Sequence, residues 1–122
     1  EGSGNVIALD VLRAMGKQPS ATEAFVAELD GAAGRDERYD AQLARTKSLF
    51  SQAASSPAAA PAIARRLVES MALTLQAQIL LVHAPAPVAE AYLAGRVDPT
   101  SRGMEYGTLP TGVDLGALAA RA

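Results

Sequence analysis

Apolar residues recur at helical spacing along this chain, and nowhere alternate at the period of two that marks a half-buried strand. VIALDVLRAM runs without Gly or Pro up to Gly16, which predicts a first helix over 5–15. On a helical wheel Asp10 and Arg13 form its narrow polar stripe, while Ile7, Leu9, Val11, Leu12 and Met15 occupy the rest. Neighbours are therefore expected on most of its sides. Ser20 and Glu23 stand at capping-box spacing ahead of Phe25, Val26 and Leu29, which predicts a second helix over 21–29 ending near Gly31.

Asp36 opens a third segment whose buried stripe is Tyr39, Leu43, Thr46 or Ala44, Phe50 and Ala53, with Ser56 and Pro57 as breakers. Pro61 fits the first turn of a fourth and longest helix, in which Ile63, Leu67, Met71, Leu75, Ile79 and Val82 recur every three or four residues up to Pro85. Its apolar half is too short for a membrane span, which takes roughly 20 residues, and Arg65, Arg66 and Glu69 precede it. Val88, Ala91, Tyr92 and Leu93 predict a short helix ended by Gly95. Residues 96–113 read as loop and 114–121 as a short terminal helix. The expected fold is all-α, an antiparallel helical bundle with no β-sheet.

Composition sharpens this picture mainly by exclusion. The chain has 122 residues, suited to a single helical domain, and 27 are Ala, the best helix former. No Cys and one His exclude a disulfide framework, a thiol nucleophile and a multi-histidine metal site; no metal is expected. His83, at the end of the long helix, reads as a structural partner of the helix C-terminus. A net charge of -2 excludes a globally basic nucleic-acid binder, and 4% aromatics argues against base-stacking platforms.

The opening Glu1-Gly2-Ser3-Gly4-Asn5 is followed by Leu9-Asp10-Val11-Leu12-Arg13, with Tyr106-Gly107-Thr108-Leu109-Pro110 and Leu118-Ala119-Ala120-Arg121-Ala122 near the other end. With these motifs the chain resembles the C-terminal domain of acyl-CoA dehydrogenase-like flavoproteins, most nearly their alkylation-response (AidB-type) branch. The resemblance implies a C-terminal piece of a larger, cytoplasmic flavoprotein, with 1–5 as the flavin-proximal loop of the active site. It places Glu1 at the family's catalytic-base position, where a carboxylate removes the α-proton of an acyl-CoA thioester while hydride leaves the β-carbon for FAD. A base poised near neutral pH suits that task, and burial raises a carboxylate in that direction. Gly2, Ser3 and Gly4 would let the backbone pass close to the flavin, with Asn5 capping the helix.

The same resemblance implies an oligomer, a tetramer in the family, whose bundle supplies active-site wall and subunit contacts, and the rest of its own polypeptide as a partner. The isolated chain is expected to bind no FAD and to be inactive. The branch also associates its C-terminal helical region with duplex DNA, which leaves two other readings: a DNA-associated domain and a non-catalytic interaction module. Arg13, Arg65 and Arg66 are the candidate phosphate contacts. Each has a structural alternative, an ion pair from Arg13 to Asp10, or from Arg65 or Arg66 to Glu69. Arg65 and Arg66 lie in the first turns of their helix, where positive charge opposes the macrodipole and needs a partner.

Overall fold

The computed structural model describes residues 3–121, and among them every regular element is helical. The order is α1 Gly4–Lys17, α2 Pro19–Asp30, α3 Glu37–Ser55, α4 Ala60–His83, α5 Ala86–Tyr92, a π-helical segment Leu93–Val97, and α6 Leu115–Ala119. The expected all-helical bundle is the fold observed. Helix ends depart from expectation where a proline overrules a weaker signal. Gly16 does not stop α1, which runs on to Lys17 because only Pro19 prevents continuation. Pro19 then opens α2 with its fixed φ, so Ser20 lies inside the first turn and the expected Ser20–Glu23 capping box does not form. Asp36 caps α3 as its position predicts, accepting from the backbone N–H of Arg38 and Tyr39.

The bundle is organised by an antiparallel α3–α4 hairpin. Tyr39 and Leu43 share a core cluster with Ala77, while Phe50 and Ala53, at the other end of α3, share one with Ala60 and Leu67. Between the clusters lies a layer of buried polar side chains. Gln42 Nε2 donates to Ser70 Oγ at 2.9 Å and Thr74 Oγ1 at 3.3 Å, and Thr46 Oγ1 lies 2.7 Å from both hydroxyls. Arg45 donates through Nε and Nη2 to Gln42 Oε1, so both ends of that amide are satisfied. Low dielectric makes such a layer rigid when fully paired and costly when broken.

The face that α4 buries differs from the apolar stripe expected of it. Buried are Ala60, Ala64, Leu67, Ser70, Thr74, Ala77 and Gln78; of the expected set only Leu67 is among them, and Ile79 is exposed. Small and hydroxyl-bearing residues let α3 approach closely, and the larger side chains on the flank, such as Ile63, Met71, Leu75 and Val82, pack beside the clusters half-buried.

α5 and the π-helical segment close one end of the hairpin, burying Leu93 and Val97 against Leu29, Ala32 and Tyr39. Gly95 was expected to end a helix, yet the chain winds through it. A Cβ there would stand 2.8 Å from Leu109 Cδ2, so the glycine makes room for the following loop. The expected loop of 96–113 accordingly begins after Val97, and α6 starts at the Asp114 cap.

Candidate functional site

The residues singled out by the opening motif sit at the start of α1. Glu1 and Gly2, the expected base and first glycine, lie outside the described residues. Ser3, rather than Asn5, is the capping residue: its Oγ accepts from the backbone N–H of Val6 at 3.4 Å, and Asn5 is already in the first turn. Asn5 is thereby free to use its side chain elsewhere. Its Oδ1 accepts from Arg65 Nη1 at 3.2 Å, across to the first turns of α4. Gly4 permits this approach, since a Cβ on it would stand 2.5 Å from Arg65 Nη1.

Two sequence candidates that stood in separate readings are thus joined: Asn5 from the flavin-proximal loop and Arg65 from the phosphate contacts. The guanidinium opposes the α4 dipole but stands beside the positive end of α1 as well, which concentrates positive potential around Ser3, Gly4 and Asn5. A surface of that sign suits an anionic group. Arg13 takes its structural alternative and pairs with Asp10 on the exposed side of α1. Among the described residues Glu69 pairs with neither Arg65 nor Arg66, and Arg66 lies exposed on α4.

α1 was expected to need neighbours on most sides, but it packs chiefly on α4 and buries only Ala8. Val6 and Ile7 stay about half exposed. The other side of α1 overlooks a groove of about 1150 Å³, walled by Leu9, Leu12 and Met15 with Val26 of α2 and Phe50 and Ala53 of α3. Periodicity could not reveal it, because a residue lining a groove and one filling a core occupy the same wheel positions.

A second cluster escaped the sequence reading. Arg38 donates to both carboxylates of Asp36 and Glu90, at 2.8 and 2.6 Å, tying the start of α3 to α5. Hydrogen bonds from the guanidinium hold Asp36 and Glu90 below the usual carboxylate range, and Arg38 rises further above its own. Burial pushes the Tyr39 hydroxyl up to about 12; it stays protonated and donates to the Leu29 carbonyl. These groups fasten the fold, the start of α3 to α5 and to the end of α2.

Among the described residues no three His, Cys, Asp or Glu side chains are placed to hold a metal ion, and no helix is long and apolar enough to cross a membrane. Comparison with known proteins found no family model, no curated protein and no solved structure that matches the chain.

Proposed function

We propose that this chain is the C-terminal helical domain of an FAD-dependent acyl-CoA dehydrogenase-like oxidoreductase of the cytoplasm, in which Glu1 is the base that removes the α-proton of an acyl thioester. The observation that carries the reading is the EGSGN run set immediately before the helix bearing LDVLR. FAD, held by other parts of the polypeptide, would accept the hydride that leaves the β-carbon.

The chain's own residues have three tasks in this scheme. Glu1 takes the proton and is neutral when the step ends. Ser3 and Gly4 carry the backbone past the cofactor with little side-chain bulk. Asn5 and Arg65 hold the start of α1 on α4, and the positive potential there suits the pyrophosphate that FAD and coenzyme A both carry. The exposed apolar side chains of α1, Val6 and Ile7, fit a domain that completes its packing against the rest of its polypeptide or a second subunit of an oligomer.

The duplex-DNA reading has less behind it. The Arg13 charge is paired with Asp10, and the two remaining candidates, Arg65 and Arg66, offer few phosphate contacts on a chain of net charge -2. The test is made on the flavoprotein that contains this segment. A saturated acyl-CoA should bleach its flavin absorbance under anaerobic conditions, and Glu1→Gln should bind flavin normally without bleaching. No bleaching in the unsubstituted protein would reject the oxidoreductase reading. Salt-sensitive binding of duplex DNA by the chain would favour the other.

A further inference from the structure

We infer that α1 is a hinged cover over the apolar end of the bundle, latched at one end by Asn5 and Arg65 and jointed at the other by Gln18 and Pro19. The joint is minimal. Gln18 alone separates two helices, serving as the C-cap of α1 and the position before α2, with φ -134° and ψ 75° and no side-chain cap bond. Pro19 brings no N–H of its own, and Gln18 holds the junction through its backbone, its N–H donating to the Ala14 carbonyl at 2.9 Å and its carbonyl accepting from the Ala21 N–H at 3.0 Å. A few element-terminal residues of this kind absorb the dihedral change when one element swings against another.

The attachment of α1 is one-sided. Its backbone comes near α4 and α2, and nowhere near α3, from which the groove separates it. Its inner face buries one small side chain completely, Ala8, and rests Leu12 and Met15 half-buried on the cluster of Phe50, Ala53, Ala60 and Leu67. Across the gap at the latch, the side-chain bond is the exposed one from Arg65 to Asn5. α3 and α4, by contrast, are stitched through the buried Gln42, Thr46, Ser70 and Thr74 layer, so movement of α1 leaves the hairpin intact. Swinging α1 away removes one wall of the groove and uncovers the cluster of Phe50, Ala53, Ala60 and Leu67, while α3 and α4 stay folded. The inference stands on packing alone and does not depend on the flavoprotein reading.

The absence of Cys makes the test direct, since a single introduced thiol has no competitor. Ala8→Cys places a thiol beneath α1 and Ala77→Cys places one in the closed cluster; both alanines are 1% exposed. Under native conditions iodoacetamide should label Ala8→Cys about a hundredfold faster than Ala77→Cys, because local opening is cheaper than global unfolding. If Ala8→Cys does not fold, spin labels on the exposed Arg13→Cys and Ser51→Cys, both lining the groove from α1 and α3, replace it: a second, longer distance supports the cover and a single distance overturns it. Labelling of both sites at the rate of global unfolding would overturn the cover. Hydrogen exchange separates swinging from melting: backbone amides from Leu9 to Arg13 should stay protected at a labelling-competent opening. Equal opening constants for thiol and amides would mean that α1 melts, which also overturns it. Adding Asn5→Ala should speed labelling at position 8 by about two- to tenfold and leave position 77 unchanged. An unchanged rate at position 8 would remove the latch.

Discussion

Where Tyr39 faces Ala77, the α3–α4 hairpin ends in a sealed core; where Phe50 faces Leu67, it ends beside an open groove. In the sealed end Tyr39, Leu29 and Val97 are 0% exposed and Leu43 6%; in the open end Leu67 is also 0% exposed, but Phe50, Ala53 and Ala60 around it retain 7 to 9%. The sealed end is covered by α5 and the π-helical segment and fastened by Arg38, Tyr39 and the Gly34 N–H bonded to Asp40. The open end is covered by Phe25 and Val26 of α2 and by α1, which touches on one side and leaves the groove. The same hairpin thus supports a rigid end and an accessible one, and the motif with candidate chemistry lies on the accessible side, at the start of α1. Functional segments are drawn from the less stable parts of a fold because they need room to act.

The largest expected effect tests that asymmetry directly. Leu93→Ala, in the sealed end, should lower unfolding free energy by about 3 kcal/mol, and Leu12→Ala, in the open end, by only about 1 kcal/mol, both read from urea midpoints. Equal losses would erase the distinction. Next in size is the boundary between the ends. Gln42→Leu removes the amide donor to the buried Ser70 and Thr74 oxygens and the acceptor of the exposed Arg45, and should cost about 2 kcal/mol, because buried acceptors left short of a donor keep their desolvation penalty. A neutral outcome would mean that the hydroxyls re-pair among themselves and the layer does not depend on the amide.

That layer also marks where sequence reading failed. The α3 stripe of Tyr39, Leu43, Thr46, Phe50 and Ala53 was legible because its cap, Asp36, and its apolar period agree. The α4 stripe had the right period and the wrong phase. Hydropathy weights Ile63, Met71 and Ile79 heavily, yet close helix packing selects Ala64, Ser70, Thr74 and Ala77, whose small side chains score as indifferent. The signal was present as small residues recurring at three and four along α4, opposite Gln42 and Thr46. At the site, the Asp10–Arg13 pair was legible as an i,i+3 spacing. The Asn5–Arg65 bond was not, since 60 residues separate its partners.

Smaller effects sharpen the sealed end. Arg38→Met should cost about 1 kcal/mol at neutral pH, a value reduced by the half exposure of Glu90. The folded state holds Asp36 and Glu90 below their ordinary values, so this stabilisation is complete above the unfolded carboxylate range and is lost as pH falls through the lowered folded values. The gap between wild type and variant should therefore close between about pH 5 and pH 2; a gap independent of pH would assign the loss to packing. Smallest is Gly95→Ala. Its Cβ meets only the flexible end of Leu109, so a loss of about 0.5 kcal/mol is expected in a urea titration, and a larger one would show that the loop cannot yield.

The central claim, that Glu1 moves the α-proton, is tested most directly by exchange rather than turnover. The protein carrying this segment, supplied with FAD as the proposal requires, is incubated with an acyl-CoA in deuterated water, and label at the α-carbon is followed by mass spectrometry. Wild type should incorporate deuterium, and Glu1→Gln should do so at least about a hundredfold more slowly with its flavin still bound. Equal incorporation by the two proteins would contradict the assignment.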